Sequence, residues 1–211
     1  MLTLYGVYRS RASRALWLLA ETGTPFEHVP VIQAYRLADP AAAGAPRNTA
    51  SADFLAVNPM GQIPALTDKD LLLTESLAIT LYLAKAYGGA LGPGNLAEEA
   101  LMTNWALFAA TAIEPAALTI LQARPEETEA IRAAAAKLDR PLARLDGHLT
   151  GRDWLLDRFS AADICVAECL RYAQGHAGLV AAHPAAFAWL ARCQARPAFA
   201  AMWAARALEP A

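Results

Sequence analysis

Residues 58–76 place a proline where a strand should begin. The run reads Asn58-Pro59-Met60-Gly61-Gln62-Ile63-Pro64-Ala65-Leu66, and Leu71-Leu72-Leu73 follows after Asp68-Lys69-Asp70. Asn, Pro and Gly are turn formers, so the chain turns, enters a short strand at Pro64 and pairs it with a second strand as a hairpin. Proline has no N–H, so a sheet tolerates it only at the head of a strand, on an edge or at a bulge. The expectation is a special backbone geometry there, including a cis bond. Thr74-Glu75-Ser76 then brings an acid and a hydroxyl to the start of a helix, whose free N–H groups favour anions. Main chain offered beside such a helix start is the outline of a site for a small peptide.

The rest of the first 88 residues supports a small α/β unit. Leu2 to Tyr5 alternates as a strand does, Ser10 to Thr22 has helical periodicity and a Gly23 stop, and Phe26 to Val31 is a second strand. Residues 34–53 read as a loop with room for a short helix. Ser76 to Tyr87 reads as a helix ended by Gly88-Gly89. The order is β-α-β, loop, β-β-α.

Leu91-Gly92-Pro93-Gly94-Asn95 reads as a linker, and the composition changes beyond it. Residues 97–205 are rich in Ala and Leu, with helical segments near 97–122, 126–149, 160–174, 184–195 and 197–205. Ser160-Ala161-Ala162-Asp163 before an apolar run reads as a capping box with Asp in place of Glu, a structural cap worth about 1 kcal/mol. The expected organisation is an α/β domain over 1–88, a linker over 89–96 and an all-helical domain over 97–211.

At 211 residues and 56% hydrophobic, the chain has enough apolar side chain for a well-buried core. A net charge of −2 gives no electrostatic reason to expect nucleic acid or an anionic membrane as partner. No apolar run approaches the roughly 20 residues of a membrane span, and no signal peptide is visible at Met1-Leu2-Thr3-Leu4-Tyr5. Three cysteines, an odd number and all beyond residue 164, fit a reducing cytoplasm. Cys165 and Cys169 share a helix face, but no His or Asp stands at a spacing that completes a metal site, so buried free thiols are expected.

These pieces together resemble the cytosolic glutathione S-transferase family. The resemblance rests on Leu4-Tyr5 with its Ser-containing turn, Arg14-Ala15-Leu16-Trp17, Glu21 to Phe26, Asn58 to Leu66, Glu75-Ser76, and Phe159-Ser160-Ala161-Ala162-Asp163-Ile164, in the family's order over most of the chain. It implies a thioredoxin-like domain followed by a helical domain, glutathione as co-substrate and a homodimer. The site residues it implies match the chemistry of that tripeptide. The main chain at Ile63-Pro64 would pair with the cysteinyl backbone as an added strand does. Glu75 would take the γ-glutamyl ammonium, Ser76 the γ-glutamyl carboxylate, and Gln62 would offer its amide nearby. Against this stand plainer roles: Ser76 as a helix cap and Glu75 as a first-turn acid.

A transferase of this kind must also favour a thiolate over a thiol whose ordinary pKa is about 8.5. The family carries a Tyr, Ser or Cys for this between the first strand and first helix, and the first 164 residues contain no Cys. Ser10 is the first candidate, ahead of Ser13 and of Tyr5, with Tyr8 also in the turn. Ser10 as helix N-cap and Tyr5 as a packed strand residue are the competing readings. Val7-Tyr8-Arg9-Ser10-Arg11 departs from the family's usual small-Pro turn.

The resemblance further implies a small hydrophobic electrophile held between the domains, with Trp105, Phe108, Ala109 and Ile113 as lining or, by their helical spacing, as core. The function implied is conjugation of glutathione to such electrophiles, in the cytoplasm, as in detoxification. A non-catalytic glutathione-binding scaffold of the same fold is the alternative, as is a glutathione-dependent isomerase, dehalogenase or peroxidase.

Overall fold

The computed structural model of the chain describes residues 1–209. The chain divides into two compact units, one of Met1–Gly88 with the segment from Pro197 on, the other of Gly89–Arg196.

The first unit is built on a four-stranded mixed sheet in the order β2-β1-β3-β4. The strands are β1 (Leu2–Tyr5), β2 (Glu27–Val29), β3 (Ala65–Asp68) and β4 (Leu71–Leu73). β1 runs parallel to β2 and antiparallel to β3, with Leu4 opposite Leu66 and Tyr5 opposite Ala65. β4 returns antiparallel beside β3, Leu66 opposite Leu73. Lys69 takes positive φ in the tight turn between them. Strand alternation sorts the faces. Tyr5 and Ala65 pack with Phe54, Val31 and Ile63, while Leu4 and Leu66 are buried on the opposite face. Phe54 belongs to the short helix α2 (Ala52–Leu55).

Helix α1 (Ser13–Thr22) packs against α3 (Ser76–Tyr87). Gly23 ends α1 in the left-handed region at φ 64°, as the sequence predicts. The helix begins three residues later than predicted, at Ser13 rather than Ser10. The Ser10 hydroxyl explains this: it accepts from the Ala12 N–H at 3.0 Å and donates to the Val7 carbonyl at 2.7 Å. A serine that satisfies nearby main chain in this way holds a turn against the helix.

The second unit is helical. Its elements are α4 (Leu96–Phe108), α5 (Glu114–Gln122), α6 (Thr128–Leu149), α7 (Ala161–Leu170), α8 (Ala177–Ala182) and α9 (Pro184–Gln194). A π-helical turn, Ala109–Ile113, joins α4 to α5. The capping box is present, and Asp163 does more than cap. Its buried carboxylate accepts from the main-chain N–H of Ser160 and of Leu155, from the Ser160 hydroxyl and from Trp189 Nε1. Burial nevertheless raises its pKa above the usual carboxylate value, against the lowering effect of those bonds. The three cysteines are buried, and Cys169 Sγ donates to the Glu114 carboxylate at 3.5 Å.

Two expectations need correction. The last helix, α10 (Pro197–Leu208), joins the first unit rather than the helical domain, because it packs on α1. Trp17 meets Phe199 edge-on at 4.9 Å, and Phe199 stacks on Trp203 at 5.5 Å. Aromatic pairs of this kind contribute about 0.5–1.5 kcal/mol beyond their buried area. Secondly, Leu96–Gln122 is long and apolar enough, by length and composition, to cross a membrane. In this structure its Met102, Trp105, Ala106, Ala109, Ile113 and Ala117 are buried in the second unit, which accounts for the apolar composition as that of a core helix.

The expected linker is more ordered than its glycines suggest. Asn95 caps α4 by accepting from the Glu98 N–H at 3.0 Å. Arg158 donates to the Ala90 and Gly92 carbonyls and to both oxygens of Glu98, at 2.7–2.8 Å. That pairing, with a further bond from the Gly94 N–H, holds the Glu98 carboxyl down at a pKa of about 2.

Candidate active site

The Asn58–Pro64 run is a turn held from its inside. Asn58 is buried, and its Nδ2 donates to the Gln62 carbonyl at 2.7 Å while its Oδ1 accepts from the Met60 N–H at 3.1 Å. Gly61 takes φ 58° and lies where a Cβ would come within 2.7 Å of the Thr49 carbonyl oxygen, so only glycine fits. The turn delivers the Ile63-Pro64 peptide, which is cis, to the head of β3. Gln62 is exposed, Ile63 half-buried and Pro64 buried.

The turn after β1 lies against that peptide. Gly6 donates to the Val29 carbonyl at 3.0 Å and has φ 144°. A Cβ there would lie 3.6 Å from Ile63 Cβ, 3.7 Å from Pro64 Cα and 2.8 Å from Ala12 Cβ. The missing side chain is what allows the Val7–Ala12 turn and the Ile63-Pro64 peptide to meet. Ser10 is half-buried in this turn. Ser13, one turn further on, is fully buried inside α1. The Tyr5 ring packs 6.2 Å from that of Phe54, in the cluster on the α2 side of the sheet. Tyr8 sits edge-on to His28 at 5.5 Å. Its phenol pKa is raised, first by burial and then by the negative charge of Glu209, so it stays protonated at neutral pH.

At the start of α3, Glu75 occupies the N-cap position, is exposed, and lends its carbonyl to the Ile79 N–H at 2.8 Å. Ser76 is buried. Its hydroxyl accepts from Arg14 Nη1 at 2.8 Å, and its carbonyl accepts from the Thr80 hydroxyl at 2.9 Å. Arg14 is itself almost fully buried in α1. This arginine is the buried partner of Ser76 that the sequence alone does not reveal. The available signal was a charge standing among the buried Ala15, Leu16, Trp17, Leu18 and Leu19 of one short helix. A hydroxyl offers one proton and two lone pairs. With the guanidinium on a lone pair, the Ser76 proton is left to donate.

The sequence-chosen residues therefore fall into two places. Ile63 and Pro64 lie against Gly6, where the turn that carries Ser10 begins, and Gln62 is exposed just before them. Glu75 and Ser76 lie at the α3 N-terminus, tied to α1 through Arg14. Tyr5 is half-buried in the same cluster as Ile63, and Ser13 is fully buried in α1. Of the four residues considered as lining for a second substrate, Trp105, Ala109 and Ile113 are buried core, and Phe108 is half-exposed with the Arg144 guanidinium 4.4 Å from its ring centre.

A mixed four-stranded sheet with a cis proline at the head of one strand, followed by an all-helical unit, defines the class of a thioredoxin-like domain joined to a helical domain. Residues 1–85 match the family model of the glutathione S-transferase N-terminal domain, and residues 108–197 that of the C-terminal domain. Glutathione S-transferase 3 of Zea mays is 34% identical, over 99% of this chain and 96% of that protein. Glutathione transferase F7 of Populus trichocarpa has a similar crystal structure, with a TM-score of 0.80 at 30% identity over 98% of this chain and 99% of that one. A glutathione transferase of Burkholderia graminis, solved with two glutathione molecules bound per subunit, gives 0.79 at 28% identity over 96% and 87%. The chain belongs to the glutathione S-transferase family.

Proposed function

We propose that this protein is a glutathione transferase that conjugates the glutathione thiolate to small hydrophobic electrophiles in the cytoplasm. The observation that carries the reading is the buried Arg14–Ser76 pair at the start of α3. It leaves a hydroxyl able to donate at a helix N-terminus, a combination that suits a carboxylate. Exposed Glu75, one residue earlier, suits the ammonium on the same γ-glutamyl group. The Ile63 main chain, at the head of β3, suits the cysteinyl backbone as an added strand does.

Ser10 is the residue we assign to the sulfur. It is half-buried in the turn that starts at Gly6, beside Ile63-Pro64, while Ser13 is fully buried in α1; Tyr5, half-buried in the cluster that includes Ile63, is the rival. A hydroxyl donating to sulfur favours thiolate over thiol. Exposed Met60, Leu71 and Leu72 on the first unit support a homodimer, which sedimentation analysis tests.

One observation favours a second reading, a glutathione-binding protein without transferase chemistry. The Ser10 hydroxyl proton is taken by the Val7 carbonyl, so it must turn to reach a sulfur. Turnover of a generic aryl halide with glutathione decides between them. Conjugation that is lost in Ser10→Ala supports the transferase. Tight glutathione binding with no turnover across several electrophiles supports the scaffold.

A further inference from the structure

The turn that carries Ser10 is gripped by the end of the described chain. The Glu209 carboxylate accepts from the Tyr8 N–H at 2.7 Å and from the Arg9 N–H at 2.8 Å. Arg206 Nη1 donates to the Tyr8 carbonyl at 2.6 Å, and Arg9 Nε donates to the Arg206 carbonyl at 3.2 Å. Both ends of this grip belong to the first unit. Gln33 adds a bond from its amide to the Arg9 carbonyl at 3.0 Å. Charge-assisted bonds of this length are about twice as strong as neutral ones.

One of these bonds bears directly on Ser10. The Tyr8 N–H and the Val7 carbonyl belong to the same rigid peptide plane. Glu209 holds the N–H end of that plane. The carbonyl end accepts the Ser10 hydroxyl proton. The position of the Ser10 Oγ thus depends on the Ala12 N–H and on a peptide group whose far side is bonded to Glu209, and from that position its proton turns from the Val7 carbonyl to reach a sulfur. Nothing in the local sequence around Ser10 supplies that anchor.

We propose that Glu209, backed by Arg206, is a positioning residue for thiol activation: by fixing the Val7–Tyr8 peptide it holds Ser10 where its hydroxyl turns to the sulfur of bound glutathione. The inference rests on the assignment of Ser10 given above. Glu209 acts through geometry, and its effect differs from that of its charge. A negative charge near the sulfur by itself disfavours thiolate, so removing charge alone lowers the pKa of the bound thiol. Loss of position raises it.

The test compares Glu209→Ala, Glu209→Gln, Arg206→Gln and Ser10→Ala with the wild type, each checked for a folded state. The readouts are steady-state conjugation of glutathione to an aryl halide and the pH dependence of thiolate absorbance in the enzyme–glutathione complex. For Glu209→Ala we expect kcat to fall about tenfold, as loss of charge-assisted bonds allows, the thiol pKa to rise, and KM for glutathione to stay within about twofold because the α3 contacts are untouched. Glu209→Gln, whose amide oxygen still accepts, should retain the greater part of kcat, and Arg206→Gln should fall between the two. A merely structural contact would lower the melting temperature and leave kcat and thiol pKa unchanged. Folded Glu209→Ala with wild-type kcat and thiol pKa, or with a lowered thiol pKa matched by Glu209→Gln, overturns the proposal. If Ser10→Ala is inactive in the same series, that failure belongs to the clamp alone. If Ser10→Ala keeps full turnover, the Ser10 assignment itself has failed.

Discussion

The guanidinium of Arg14 donates to the hydroxyl of Ser76 at 2.8 Å, and both side chains are buried. A helix-start serine is thereby oriented by a charge 62 positions earlier in the chain. Arg14→Met should weaken glutathione binding by about tenfold or more, because a bond from a charged donor contributes about 1.5–3 kcal/mol. Arg14→Lys should restore only part of it, since an ammonium lacks the planar fork. Isothermal calorimetry measures both, and unaltered affinity in Arg14→Met would remove Arg14 from the site.

Glu75→Ala and Ser76→Ala should each reduce glutathione affinity several-fold or more, as loss of one charge-assisted bond predicts. Arg14 and Ser76 should couple, so the double variant Arg14→Met/Ser76→Ala loses less than the sum of the singles. Glu75 stands outside that bond and should add independently. Additive losses at Arg14 and Ser76 would mean that they bind the ligand separately.

Ser10→Ala should lower conjugation by a factor of about ten to a hundred, in proportion to the rise in the bound thiol's pKa at about 1.4 kcal/mol per unit. The limb of the pH–rate profile that reports thiolate should move to higher pH. A profile that keeps its position while the rate falls would assign Ser10 to packing of the turn.

Glu98 makes stability of the second unit depend on acid. Its folded pKa of about 2, set by Arg158 and then by the Gly94 N–H, lies below the unfolded value of about 4.3. Such a group adds stability above the unfolded pKa and loses it as pH falls toward the folded one. Glu98→Gln should therefore unfold at lower urea than the wild type at pH 7. The gap should narrow between pH 5 and pH 2 and vanish at the acid end. A gap that is constant with pH would show that the ion pair contributes nothing through Glu98 ionisation.

Asp163→Ala should destabilise the protein by about 3 kcal/mol or more, since it strips partners from four buried donors. Asp163→Asn should cost less, because a neutral amide oxygen still accepts and burial already opposes the charged carboxylate. Urea unfolding at neutral pH gives both values, and a costlier Asp163→Asn would contradict this account.

What the sequence disclosed depends on the range of each interaction. Local signals held up well. The strand pair around Leu66 and Leu73, the helix from Ser76 to Tyr87, the Gly23 stop and the capping box at Ser160 all follow from neighbours in sequence. Where one side chain redirects the main chain, the reading slipped. Ser10 delays α1 by three residues, and α8 escaped notice because Gly175 and Gly178 mask six helical residues that His176 caps. Pairings across long separations left no pattern in the sequence. Arg14 with Ser76, Arg158 with the linker, and Glu209 with Tyr8 join residues 62, 66 and 201 positions apart. Each charged residue reads alone as an ordinary surface or helix residue, and only the folded chain shows its partner.

The placement of α10 also orders events at the ribosome. The second unit is one uninterrupted stretch, Gly89–Arg196, so all its residues have been made before Pro197 is added. The first unit is begun earlier and finished later. Its helix α1 waits for the Phe199 ring that packs on Trp17, and its Val7–Ala12 turn waits for Arg206 and Glu209. A chain still under synthesis thus carries a completed helical unit beside an α/β unit with Trp17 uncovered. The unit assigned to glutathione is completed only after the helical one has been made.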